Sequence, residues 1–409
     1  MGTEGIIAER RGGGKSLVAI GDADGVDSRS MEQRPPSPAP KIDARLSEKL
    51  VAVSFVAACF VVVLHAYANP LAAAGGATAW FVLFAGWTLP TFTVPIFFVI
   101  SGYLLAVKAG NGAAAGWYGK AVKKRVRTLL GPYFLWCTLF AVTVLPFTML
   151  GNHLAGRVLS ANTCLREPVL SAWNLARIYG GDLTSAPIDG ALWYIRNLFL
   201  LVLAGPLLLS VMASRRWGTF YLLASGALFF AHDWMPKSCW QFFETGLSVR
   251  GFFFFPLGVY LARHPVTAGA FRRTRAALPA LWLGACLLYV FLRLHGGEDW
   301  AAAKSLLARA TNLLGVGAVW VLYDFLPGFR GIARLPVAHD SFFVFACHLG
   351  IMFTVMCDRS QQLLMTRLHV PAAGIFLLRI AVPLGLSLAL AEALRRWFPR
   401  AYALLTGGR

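Results

Sequence analysis

Long apolar runs separated by short polar clusters make up most of this chain. The first run extends from Leu50 to Tyr67, and about 20 apolar residues at about 1.5 Å each are enough to cross a hydrocarbon core of about 30 Å. Nine similar runs follow, near residues 86–107, 129–150, 191–212, 217–231, 250–262, 276–293, 306–326, 339–357 and 372–394. The pattern predicts an all-α, polytopic membrane protein with about ten transmembrane helices.

The composition supports a membrane protein and argues against a nucleic-acid partner. Hydrophobic residues make up 57% of the 409 residues and charged residues only 14%, whereas a soluble protein carries about 25% charged residues. The formal net charge is +19, but the basic residues lie in short clusters between apolar runs, as in cytoplasmic loops. No basic stripe with interleaved aromatic residues is present, so no nucleic-acid partner is expected.

The distribution of basic residues predicts the topology. If the N-terminus is inside, the inner segments contain Lys108, Lys120, Lys123, Lys124, Arg125, Arg127, Arg215, Arg216, Arg263, Arg272, Arg273, Arg275, Arg330, Arg334, Arg395, Arg396, Arg400 and Arg409. The outer segments contain far fewer basic residues. This asymmetry predicts an even number of spans with both termini in the cytoplasm, and we expect the protein in the inner membrane of the cell.

The same pattern divides the chain into three regions. Residues 1–49 are polar and rich in glycine and proline, which predicts a disordered cytoplasmic tail without a signal peptide. Residues 50–397 form the predicted membrane domain, and residues 398–409 a short cytoplasmic tail. Two cysteines, Cys164 and Cys239, fall in predicted outer segments, where a disulfide between them could form.

Several polar side chains lie inside the apolar runs at different predicted depths. From a rise of about 1.5 Å per residue, His65 lies in the outer third, His348 near the midplane, and Ser101 and Arg196 about 10 Å from the inner and outer surfaces. Such groups are costly to bury and often functional. Each also has a structural explanation. A histidine could bond to a nearby carbonyl, Arg196 could extend to the surface, Ser101 could belong to a packing notch, and Trp193 to an interfacial belt.

Six motifs stand along the chain in a recognisable order. They are VVVLHAY (61–67), VPIFFVISGYLLA (94–106), KKRVRTLLGPYFLW (123–136), GALWYIRNLFLL (190–201), FFFFPLGVYLAR (252–263) and DSFFVFACHLGI (340–351). With them, the chain from about Arg45 to Trp397 resembles the membrane-bound acyltransferase family 3, which O-acylates cell-surface glycans and related acceptors. The order of the motifs is more specific than any single one.

One position departs from the pattern of that family. An arginine often stands eleven residues before the histidine, and here that position is Ser54. Eleven residues advance a helix by about 16 Å and leave both positions on one face, so the usual positive charge would lie below His65. Lys49 is one candidate substitute, but it should point about 140° away from Ser54. Ser54 cannot supply this charge, so the acyl donor has to be held in another way than the family pattern implies.

The resemblance implies an O-acyltransferase that moves an acyl group, expected to be acetyl, from a cytoplasmic acyl-CoA to a hydroxyl of a glycan or lipid-linked sugar outside. It implies His65 as the general base, because a neutral imidazole can take a proton near pH 7. The residues expected to bind donor or acceptor are Ser101, Trp193, Arg196, His348, Lys123, Lys124, Arg125 and Arg127. Neither a bound cofactor nor a metal is expected, since acyl-CoA is a substrate.

Two other classes of protein fit part of the pattern. A transporter or flippase would use the same intramembrane histidines and arginine for proton coupling or for moving an anion. An inactive scaffold of a glycan-assembly complex would need none of the chemistry. The basic run from Lys120 to Arg127 could meet the phosphates of coenzyme A, or it could be ordinary positive charge of a cytoplasmic loop.

Overall fold

The computed structural model describes residues 42–110, 116–154, 172–181, 186–236, 239, 243, 246–264 and 277–408. These residues are mostly helical and contain no β-strand, so the all-α prediction is confirmed for this part of the chain. Cys164 and most of the predicted tail 1–49 lie outside the described residues. The disulfide and the disordered tail therefore stay predictions.

The first part of the chain forms six helices. They are α1 (Ala44–Ala66), α2 (Asn69–Ala72), α3 (Gly76–Phe81), α4 (Thr93–Ala109), α5 (Trp117–Arg125) and α6 (Gly131–Leu154). A π-helical stretch, Val82–Thr88, and a 3-10 turn, Leu89–Phe92, connect α3 to α4. This irregular stretch contains Pro90, and proline cannot complete the helical hydrogen bonds. A second π-helical turn, Val126–Leu130, connects α5 to α6.

The middle part of the described chain forms five more helices. They are α7 (Ala172–Gly180), α8 (Trp193–Leu203), α9 (Gly205–Ala213), α10 (Arg215–Ala231) and α11 (Val249–Arg263), with 3-10 turns at Gly190–Leu192 and His232–Trp234.

The last part forms seven helices. They are α12 (Ala277–His295), α13 (Ala301–Phe325), α14 (Pro327–Ile332), α15 (Ser341–Cys347), α16 (Asp358–Thr366), α17 (Ala372–Trp397) and α18 (Pro399–Thr406). Turns of 3-10 helix at Glu298–Trp300 and Pro336–Asp340 precede α13 and α15, and a π-helical stretch, Leu349–Cys357, precedes α16. The predicted short tail after Trp397 thus contains a helix.

The described helices include six that are long and apolar enough to cross a membrane. They cover Ala44–Ala66, Gly76–Ala109, Trp117–Phe147, Ala277–His295, Glu298–Phe325 and Ala372–Trp397. Two bent pairs raise the number to eight if each is one span: Gly190–Leu203 with Gly205–Ala213, bent by 64°, and Pro336–Cys347 with Met352–Thr366, bent by 62°. The protein is therefore a multi-pass membrane protein.

Helices α10 and α11 coincide with the predicted fifth and sixth runs. They contain 17 and 15 residues, fewer than the about 20 that a straight span needs. A total of about ten spans and the cytoplasmic position of both termini therefore remain predictions.

Helix α1 is anchored at its first turns. It begins at Ala44, before the predicted boundary, and the Asp43 carboxylate caps it by accepting a hydrogen bond of 2.7 Å from the Leu46 backbone. The buried Lys49 ammonium bonds to the Asp324 carboxylate of α13 at 2.8 Å and lies 4.3 Å from the centre of the Trp320 ring. Lys49 is thus held by α13.

Two glycines allow α4 and α11 to pack backbone to backbone. A Cβ atom added at Gly102 would lie 2.0 Å from the carbonyl oxygen of Phe255, and one added at Gly258 would lie 2.1 Å from that of Val99. Small residues of this kind let membrane helices approach closely. Gly102 therefore forms the packing notch, while its neighbour Ser101 faces another helix.

We expect Gly258→Ala to destabilise the protein, because a backbone carbonyl cannot move aside as a side chain can. Overpacking of this kind costs about 1–3 kcal/mol and should lower the melting temperature of the detergent-solubilised protein. Gly284→Ala in α12 is the matched control, since no atom lies within 4 Å of its added Cβ. Equal melting temperatures for the two variants would contradict this packing.

Candidate active site

Two histidines that are far apart in the sequence meet in the structure. His65 lies in the last turn of α1 and His348 directly follows α15. Their ring centres are 5.1 Å apart, and the Phe353 ring packs against both. His348 is completely buried and His65 is half-buried. The two residues can therefore act on the same substrate group, with His65 the more accessible of the two.

The hydrogen bonds of His348 define its protonation. Its Nδ1 lies 3.2 Å from the carbonyl oxygen of Val344, and because a carbonyl only accepts, Nδ1 must carry the proton. The other nitrogen, Nε2, is then an acceptor, and it is buried without a hydrogen-bond partner among the described residues. A buried nitrogen that lacks a partner is costly, so this lone pair is a candidate to receive a proton from a bound molecule.

A break in the helix positions His348. After Cys347 the chain enters the π-helical stretch, and Gly350 there has φ −50° and ψ −117°, far from helical values. Irregular turns of this type are frequent at functional sites because they turn side chains away from the regular helical positions. The break is the reason that His348 lies beside α1.

Arg379 of α17 fixes the end of α1. Its guanidinium donates to the carbonyl oxygen of Ala66 at 3.0 Å, to Gln361 Oε1 at 3.0 Å and to Asp358 Oδ1 at 2.9 Å. It also lies 5.5 Å from the centre of the Phe353 ring. A cation is favourable at the C-terminus of a helix, where carbonyl groups have no partner within the helix. Arg379 therefore holds α1 in place beside the two histidines.

Sequence reasoning missed Arg379, although a signal was present. It is a lone cation inside the last apolar run, and such intramembrane charges are functional candidates by default.

A cavity of about 270 Å³ lies below the histidine pair, on the side of Ser54. Its polar lining consists of Ser54, Ser101, Lys108, Arg125, Tyr194 and Ser341. The hydroxyls of Ser101 and Tyr194 lie 3.3 Å apart. The position of the expected arginine, occupied by Ser54, therefore faces a cavity that receives two cations from α4 and α5 instead. A negatively charged or polar ligand suits this lining.

Three aromatic rings that pack against one another line the cavity. The ring centres of Phe97, Tyr194 and Phe345 lie 5.8, 6.1 and 5.7 Å apart in their three pairs. All three side chains line the cavity, and the Phe345 ring centre also lies 6.4 Å from that of His348. Phe345 thus lies beside both the cavity and His348, and with the Phe97 and Tyr194 rings packed against it, it forms an aromatic layer on that side of the cavity.

The remaining predicted site residues lie apart from this arrangement. Arg196 donates to the backbone carbonyl of Gly180, and to that of Gly246 at 3.4 Å, so it connects segments that precede α8 and α11. Trp193 packs near Phe98, with ring centres 6.5 Å apart. Neither residue lines the cavity.

The basic run divides between two surfaces. Arg125 is half-buried and lines the cavity, whereas Lys123, Lys124 and Arg127 are exposed and line a different cleft. Spacing alone could not separate them, since all four lie within five residues. Among the described residues, no group of three or more His, Cys, Asp or Glu side chains could hold a metal ion.

A buried carboxyl group lies just before α8. Asp189 is 1% exposed and accepts a hydrogen bond from the Ala191 backbone at the start of α8. The next residue, Gly190, packs near Leu349, which follows His348. Burial raises the pKa of the Asp189 carboxyl to about 7, because an apolar environment disfavours the charged form.

Comparison with known proteins places the chain among acyltransferases. A family model described as an acyltransferase domain matches residues 53–388. The succinoglycan biosynthesis protein ExoH of Rhizobium meliloti (strain 1021) is 24% identical over 375 residues, which cover 90% of this chain and 94% of ExoH. No solved structure matches the chain.

We expect Asp189→Asn to stabilise the protein increasingly as the pH rises from about 4 to about 7. Because the folded-state pKa is raised from 3.8 to about 7, the wild-type protein loses stability over this range, where the unfolded chain ionises first. The asparagine stays neutral, so the difference in the free energy of unfolding should grow by about 2–4 kcal/mol. Melting temperatures at several pH values measure it.

A pH-independent difference for Asp189→Asn would contradict the burial of a titrating carboxyl group.

Proposed function

This chain belongs to the acyltransferase family, and from that premise we propose that it transfers an acyl group from a cytoplasmic acyl-CoA to a hydroxyl of a polysaccharide outside the membrane. The motifs noted in the sequence thus identify the family correctly, and an enzyme is favoured over a transporter or a scaffold. The one observation that carries the proposal is the histidine pair, which lies next to Phe345 of the aromatic layer that lines a cavity containing Lys108 and Arg125.

The relative supports the class of acceptor. ExoH is a protein of succinoglycan biosynthesis, and succinoglycan is a polysaccharide, whose abundant hydroxyls are the groups that an acyltransferase esterifies. We propose an acceptor of the same class here, either a polysaccharide or its lipid-linked precursor, and the inner membrane as the place where it meets the enzyme.

The cavity is the proposed entrance for the donor. Lys108 and Arg125 would meet the phosphates of coenzyme A through charge-assisted hydrogen bonds. The thioester would lie deeper, where the Ser101 and Tyr194 hydroxyls can donate to its carbonyl oxygen and stabilise the negative charge that develops on it. A closed end made of three rings leaves little room beyond the thioester, which favours a short acyl group such as acetyl.

The histidines perform the proton transfers. The acceptor hydroxyl gives its proton to His65, and its oxygen attacks the thioester carbon as the carbon–sulfur bond breaks. The leaving thiolate then takes the proton from the imidazolium. The Nε2 lone pair of His348, beside His65, can accept a hydrogen bond from His65 or from the hydroxyl and so orient the reacting group. Arg379 acts by positioning, because its donors are engaged with α1 and α16.

The aromatic layer must open during the reaction. The donor carbonyl and the acceptor hydroxyl have to come within about 3 Å of each other, and the three rings separate the cavity from His65. The Phe345 ring packs against Tyr194 of the cavity and lies near His348. Its rotation would therefore open the shortest route from the cavity to the histidine pair.

We expect His65→Ala to lower acylation of the surface polysaccharide by about 100-fold or more, since a general base contributes about that much. Incorporation of labelled acetyl in cells, divided by the abundance of the protein in the membrane, measures it. His348→Ala should reduce the rate as well. The control is His339→Ala, which removes an exposed histidine outside the site. Wild-type acylation by His65→Ala at equal abundance would exclude His65 from the mechanism.

A further inference from the structure

A second cleft lies on the far side of the basic helix from the cavity. It has a volume of about 1330 Å³ and is formed by α5, the start of α6 and the C-terminal helix α18. Its lining contains five cations and no acidic residue; the cations are Lys120, Lys123, Lys124, Arg127 and Arg400. The cleft and the cavity have no lining residue in common.

The five cations are available to a ligand. All are exposed, and in the part of the chain that the structure describes none of their side chains forms a hydrogen bond or an ion pair. Other cations of the same chain are paired, as Arg395 is with Asp340 at 3.1 Å. Like charges gathered around one cleft repel each other, so an anion bound among them would be stabilised by all five.

The walls of the cleft are held in place by packing. The Trp136 indole donates to the carbonyl oxygen of Leu405 at 3.0 Å, and the Tyr402 hydroxyl donates to the buried Asp340 carboxylate at 2.5 Å. Gly407 has φ +71°, and a Cβ added there would lie 2.5 Å from the Thr128 carbonyl oxygen. Helix α18 is thus fixed against α6, and Arg400 is fixed opposite the basic helix.

The cleft also has an apolar part that faces outward. Val126, Phe134 and Leu404 are 43%, 47% and 66% exposed, and all three line the cleft. A free nucleotide would bind the cations but would leave these side chains uncovered. A phospholipid suits both parts, because its headgroup is anionic and its acyl chains are apolar.

We propose that this cleft binds an anionic phospholipid, with the headgroup phosphate among the five cations and an acyl chain along Phe134 and Leu404. The predicted cytoplasmic position of these residues agrees with it, since anionic lipids attract basic segments at that surface. Lys123, Lys124 and Arg127 then bind lipid, and Arg125 alone of the run faces the acyl donor. The lipid would hold α5 in the position that presents Arg125 to the cavity.

Native mass spectrometry of the full-length protein in detergent tests the proposal, with phosphatidylglycerol and phosphatidylcholine of identical acyl chains as probes. The wild-type protein should bind phosphatidylglycerol about tenfold more tightly or better. Lys124→Ala with Arg400→Ala should lower that preference at least fivefold. Arg215→Ala with Arg334→Ala removes two exposed cations outside the cleft and should leave it unchanged. The melting temperature of each variant should equal that of the wild-type protein, which shows that the variants are folded. If the double variant is unstable, Arg400→Gln alone replaces it in the binding measurement.

Three outcomes would overturn the proposal. The first is equal binding of the two lipids by the wild-type protein, and the second is an undiminished preference in the cleft variant. The third is displacement of phosphatidylglycerol by adenosine 3′,5′-bisphosphate at similar concentration, which would make the cleft a nucleotide site. These results are independent of acyl transfer, so failure of the lipid site leaves the proposed reaction standing.

Discussion

The attachment of Arg379 to the end of α1 is the interaction on which the site depends. Inside a membrane, a guanidinium and free helix carbonyls are costly unless they bind each other, because no water is there to replace a missing partner. Arg379 joins α1 to α16 while itself belonging to α17. Its donors therefore determine where the last turn of α1 lies, and with it His65. The break after His348 brings the second histidine to the same place.

Much of the fold was predictable from the sequence because apolar runs of spanning length are a strong signal. Each of the ten predicted runs contains a helix, and the irregular helical stretch around Pro90 follows from the chemistry of proline. The bend at Ala204 has a signal in the sequence, because Gly205 and Pro206 follow it directly. No proline marks the break after Cys347. The short α11, Val249–Arg263, agrees with the predicted run 250–262 to one residue at each end.

The site was predictable only in part. His65 and His348 stood out as polar residues in apolar runs, but their distance in the sequence, 283 residues, gave no indication that their rings are 5.1 Å apart. The basic run shows the opposite difficulty. Its members are neighbours in the sequence, yet the turn of the helix places Arg125 at the cavity and Lys124 at the second cleft. Contacts across the fold, rather than spacing, make these assignments.

The central claim is that donor and acceptor reach the histidine pair from opposite sides of the membrane, past one aromatic layer. Sealed membrane vesicles of opposite orientation, prepared from cells that make the protein, test it most directly. Labelled acetyl-CoA added outside should label polysaccharide inside vesicles whose cytoplasmic face is exposed, and should give no label in vesicles of the opposite orientation. Equal labelling in both, or labelling only when the outer face is exposed, would contradict the account.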